Sequence, residues 1–108
     1  ALLKVIVNRK RWYRGQGSEY SALLLSNNKM CCIGFLAREL GCTPKDIRKK
    51  ATLDEVDIMI SDAFEYKHGS TLCRAYEVND RATMTDNKRE RMLITLGKRM
   101  GVQFKFIN

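Results

Sequence analysis

Histidine, proline and tryptophan each occur once in this 108-residue chain, at His68, Pro44 and Trp12. With one histidine and no Cys-x-x-Cys pair, the ligands for a tetrahedral zinc site are not there. No metal or other cofactor is expected. A single proline argues against long, stiff linkers. No apolar run approaches the roughly 18 residues of a membrane span, so a membrane is not an expected partner. The apolar start, Ala1 to Val7, is broken too early by Lys4 to read as a secretory leader. Repeats and low-complexity tracts are missing too, and the length suits one domain over residues 1–108.

Four cysteines are present. Cys31 and Cys32 are neighbours, which bridge each other only through a strained ring. With Cys42 and Cys73 they sit in apolar patterns and read as buried free thiols of a reducing compartment.

The net charge is +8, unevenly placed. Residues 1–50 hold eleven Lys/Arg against three acids, whereas residues 51–108 hold nine of each. One-sided charge favours an anionic partner, although a merely solvated surface would look the same.

Leu2–Val7 is rich in β-branched residues and reads as a strand. Trp12–Ser18 is loop-like, and Ser26–Lys29 forms a turn in which Asn27 and Asn28 tolerate left-handed backbone. Met30–Leu40 reads as a buried helix ended by Gly41. Thr43 with Pro44 and Asp46 caps a short helix whose open face carries Lys45, Arg48, Lys49 and Lys50. Thr52 with Glu55 repeats the capping pattern, starting a helix with Leu53, Val56, Ile60 and Phe64 inward and Asp54, Glu55, Asp57, Asp62 and Glu65 outward. His68-Gly69 is expected to break it. Ser70 then starts another helix to Val78, with Leu72, Cys73 and Tyr76 inward. Thr85 opens the clearest helix, to Met100, and Val102–Ile107 alternates as a strand. The fold class is therefore α+β: a small sheet including both terminal strands, covered by about four helices. The relative direction of the two strands stays open.

The segments Trp12-x-Arg14-Gly15-x-Gly17-Ser18, Ser21-Ala22-Leu23-Leu24 and Lys29-Met30-Cys31-Cys32-Ile33-Gly34-Phe35-Leu36 resemble a family of small uncharacterised proteins of tailed bacteriophages. Asn79-Asp80, Lys88-Arg89-Glu90 and the strand after Gly101 fit the same pattern. The resemblance implies a setting, the cytoplasm of an infected bacterium, and no chemistry. The chain departs from the family at Asn27-Asn28, where Asp-Gly or a similar pair is expected, and in its acidic middle segment.

The candidate ligand-binding residues are Arg9, Lys10, Arg11, Trp12 and Arg14, with Gly15, Gly17 and Ser18 behind them. Cations beside rings suit nucleic acid or nucleotides. The competing reading packs Trp12 in the core and leaves the arginines solvated. Gly15–Ser18 could offer backbone N–H groups to a phosphate, but it lacks the Lys-Ser/Thr of a P-loop, and a plain turn is the simpler reading. No catalytic set is expected from Cys31, Cys32 and His68 or from the acidic helix face. These features together point to a non-enzymatic accessory protein, acting in host takeover or counter-defence, that binds an anionic nucleotide or nucleic acid and pairs as a homodimer. The alternatives are a direct RNA/DNA-binding module, a protein–protein inhibitor of a host factor, and a small hydrolase or nuclease.

Overall fold

Alternating apolar residues let two strands from opposite ends of the chain share one buried face. In the computed structural model, which describes residues 2–17, 21–56 and 59–108, β1 (Leu3–Asn8) and β2 (Val102–Ile107) pair in parallel, with Leu3 opposite Val102 and Val7 opposite Phe106. Val5, Val7, Val102 and Phe104 are buried, while Lys4, Ile6, Gln103 and Lys105 face outward. Parallel strands need a long crossover, and here nearly the whole chain supplies it. The parallel arrangement settles the strand direction that the sequence leaves open. A two-stranded sheet holds only when something packs on it; α4 (Asp86–Arg99) lies on β2 and α1 (Cys32–Glu39) on β1.

The helix expected over Met30–Leu40 starts later, at Cys32, because Met30 stays extended. Its N–H donates to the Arg11 carbonyl and its carbonyl accepts from the Tyr13 N–H, a parallel bridge that ties Trp12 to the entry of α1. Every residue from Cys32 to Ala37 is buried. Gly34 is glycine for a local reason: a Cβ there would run into the Leu23 carbonyl oxygen. At α2 (Pro44–Ile47) the capping box forms as expected, with the Thr43 hydroxyl accepting from the Asp46 N–H and the Asp46 carboxylate accepting from the Thr43 N–H.

The capping box expected at Thr52 does not form. Its hydroxyl donates to Asp54 instead, so only one 3-10 turn results, over Leu53–Glu55. The next helix, α3, runs from Met59 to Asp80. His68 leaves helical geometry (φ −123°, ψ 17°), so α3 is two helical segments joined at a kink, which falls where the His68-Gly69 break is expected. Cys73, expected inward, is exposed. Asp57 lies outside the described residues, as does the side chain of Ile60. Thr85 caps α4 as expected, accepting from the Lys88 N–H. Among the described residues no helix is long and apolar enough to cross a membrane.

The tight approach at Gly34 gives the first prediction. Gly34→Ala should lower stability by about 1–3 kcal/mol, the usual cost of overpacking a filled site. Urea unfolding reads this as a lower midpoint at unchanged slope; an unchanged midpoint would mean that the Leu23 backbone yields freely.

Candidate anion-binding cleft

The basic stretch that leaves β1 divides into residues committed to the scaffold and residues that remain available. Arg9 donates both Nε (2.8 Å) and Nη2 (2.7 Å) to the Glu90 carboxylate. Arg14 donates to the Arg9 and Trp12 carbonyls at 3.1 and 3.0 Å and to Asp86 at 3.0 Å, and its guanidinium lies 4.5 Å from the centre of the Trp12 ring. Arg14 holds the Asp86 carboxyl below the usual carboxylate range. Trp12 is 2% exposed, and its indole N–H donates to the Asn79 side chain at 2.8 Å. The ring is core, as the competing reading has it, and is not presented for base stacking.

Gly15 and Gly17 both have positive φ, at 71° and 81°. Their N–H groups donate to the carbonyls of Asn79 (2.9 Å) and Asp80 (2.8 Å) at the end of α3. Those donors cap a helix, so neither is left for a phosphate. Ser18 lies outside the described residues. Arg89, 2% exposed, completes the same helix end: its guanidinium donates to the carbonyls of Val78 (2.7 Å), Asn79 (3.0 Å) and Met84 (2.8 Å).

Lys10 and Arg11 stay exposed. Arg11 reaches a cleft of about 520 Å³ that also receives Arg38 from α1 and Arg48 from the exit of α2. Arg11 donates to the Asn28 carbonyl (3.3 Å), while Arg48 donates to the Leu25 carbonyl (3.0 Å) and the Asn28 side-chain oxygen (3.1 Å). Arg38 donates to the Cys42 carbonyl at 2.8 Å. Asn28 adopts the left-handed backbone expected of that turn (φ 67°), so the turn becomes the post on which two guanidiniums meet. Neutral carbonyls orient these cations without neutralising them, and a guanidinium has five N–H donors, of which one or two are used here. Among the described residues Glu39 is the one acid lining the cleft, and Ile6, Phe35, Pro44 and Ile107 give it apolar walls.

Charge counted along the chain is not the surface map. Arg9 and Arg14 from the basic half are matched by Glu90 and Asp86 from the neutral half. This leaves Lys88, Arg91 and Arg99 of α4 unmatched, and with Arg74 they line a groove of about 390 Å³ between α3 and α4. Pairing across the halves therefore moves a small part of the positive surplus to the second half of the chain, and most of it stays in the first. Among the described residues no hydrogen bond or ion pair fixes these four side chains, unlike the three guanidiniums of the cleft. Arg38 and Arg48 were readable in the sequence as surface cations only; nothing in their spacing shows that a turn at Asn28 gathers them.

Burial pushes the Cys31 thiol up to about 12 and raises Cys32 as well, so both stay protonated at neutral pH. Cys73 alone is exposed. A thiol reagent should therefore modify one cysteine per native chain quickly and three more only on unfolding; rapid modification of Cys31 or Cys32 would contradict the packing of α1.

Comparison with protein-family models, with curated proteins and with solved structures finds no match.

Proposed function

We propose that this is a small non-catalytic accessory protein, made by a tailed bacteriophage and acting in the cytoplasm of its host, that binds an anionic target in the Arg11–Arg38–Arg48 cleft. The observation that carries the reading is the set of three guanidiniums held by carbonyls and, among the described residues, unpaired with acids. Pre-oriented cations bind without the cost of ordering long side chains. Binding is favoured over turnover because Cys31 and Cys32 are buried and protonated, and because the single histidine packs against Phe64 at 4.6 Å, away from the cleft lining.

Inorganic pyrophosphate is the simplest probe. Reversing Arg11, Arg38 and Arg48 to glutamate should abolish its binding and flatten the salt dependence at unchanged thermal stability. Reversing Arg9 and Arg14 should instead lower stability, because Glu90 loses its partner and Asp86 keeps only Arg89, at 3.4 Å. Pyrophosphate binding that survives the first reversal would move the site to the α3–α4 groove.

The same reading has the protein act as a homodimer. Met59 and Tyr66 lie one heptad apart on α3 and are 86% and 94% exposed, beside the exposed Asp62. Apolar side chains of this size on one helix face mark a contact surface. Sedimentation should show a dimer that Tyr66→Glu dissociates; a monomer at high protein concentration and low salt would remove dimerisation from the proposal.

A further inference from the structure

The cleft is more specific than a patch of positive charge, because its cations are focal and its walls are apolar. Arg11 and Arg48 both bond to one residue, Asn28, through its carbonyl and its side-chain oxygen. Two guanidiniums fixed on one residue sit close together, which suits adjoining phosphates better than a phosphate chain strung along a groove. Guanidinium forks bind phosphate oxygens in pairs, and three of them set against Glu39 match a ligand of two or three negative charges.

The opposite wall belongs to the open face of the sheet. Ile6 and Ile107 point outward from β1 and β2 and are 42% and 38% exposed. In the parallel register Ile107 is the partner of Asn8 and Ile6 of Lys105, so the two isoleucines stand on the same face of neighbouring strands with one pair between them. Both line the cleft that receives the guanidiniums. Exposed aliphatic side chains beside fixed cations suit a flat, largely apolar group joined to phosphates. A nucleobase fits that description, and a guanidinium can stack on its other face. The volume, about 520 Å³, lies within the ordinary range for small-ligand sites. A single-stranded nucleic acid calls for a different surface: a long basic track with successive aromatic platforms. Among the described residues the one aromatic ring lining this cleft, Phe35, is 8% exposed.

We infer that the cleft takes a free nucleotide carrying at least two phosphate charges, its base against Ile6 and Ile107 and its phosphates on Arg11, Arg38 and Arg48. This inference rests on the anion-binding reading above, and the test separates the two. Titration calorimetry on the intact protein compares adenosine, guanosine and uridine diphosphates with inorganic pyrophosphate and with a single-stranded oligonucleotide. At least one nucleoside diphosphate should bind about tenfold or more tightly than pyrophosphate, the effect of burying apolar area equivalent to one side chain. Ile6→Ser/Ile107→Ser should remove that advantage and leave pyrophosphate binding within about twofold. Both residues are on the solvent face, and an unchanged melting temperature confirms that the variant is folded. Pyrophosphate binding as tightly as every nucleotide, or nucleotide affinity indifferent to the isoleucines, would overturn the base site and leave anion binding standing. An oligonucleotide binding more tightly than any nucleotide would overturn it in favour of nucleic acid. No binding of any of the three would overturn both readings.

Discussion

The fold depends on how the C-terminal end of α3 is satisfied. A helix ends with carbonyls that have no partner within it, and here that end is buried among other segments. Asn79 is fully buried and serves both chain directions at once. Its side-chain oxygen accepts from the Trp12 indole and from the Cys32 N–H, and its amide donates to the Tyr13 carbonyl and to Asp80. Its own carbonyl accepts from Gly15 and Arg89. One residue thereby joins the loop after β1, the first turn of α1 and the hairpin between α3 and α4. Truncating it would strand two buried donors, the Trp12 indole and the Cys32 N–H, each costing on the order of 1–3 kcal/mol.

That arrangement decides which cations remain for a ligand. Arg89 is consumed in capping α3, and Arg14 is held by two carbonyls and Asp86 while covering Trp12. Arg9 closes the ring by gripping Glu90, one turn of chain beyond Asp86 on α4. Arg11 belongs to the same basic run but turns toward Asn28 rather than toward α4. The turn that follows β1, closed by the Arg11 N–H donating to the Asn8 carbonyl, thus sends neighbouring arginines to different duties. A basic run read from sequence alone counts them as equals.

Legibility followed the range of the forces involved. The terminal strands, the Thr43 and Thr85 caps and the left-handed turn at Asn28 are set by neighbours within a few residues, and the sequence is explicit about them. Thr52 misled because the Glu55 carboxylate accepts from the Ala51 N–H rather than the Thr52 N–H, and the Thr52 hydroxyl donates to Asp54. The break expected at His68-Gly69 is present as the kink at His68, beyond which Leu72, Ala75 and Val78 pack into the core. Cys73 was placed inward by apolar company, although the helix phase set by Leu72 and Ala75 turns it outward. The site was least legible. Arg11, Arg38 and Arg48 come from three segments, and only the tertiary position of residues 25–28 brings them to one cleft.

The motif residues that suggest a phage family lie mostly at the α3 end and beneath it: Trp12, Arg14, Gly15, Gly17, Cys32, Gly34, Asn79 and Arg89. All but Arg14 are constrained by a buried hydrogen bond, a positive φ or a close backbone approach, and Arg14 is held by two part-buried bonds to carbonyls. The cleft draws on other positions, Arg11, Asn28, Arg38 and Arg48, which that motif does not contain. Asn28 even falls where this chain departs from the pattern. A scaffold built this way can keep its buried hub while the residues around the turn at 25–28 change. The motif therefore reports how the chain folds, and the ligand has to be argued from the cleft itself.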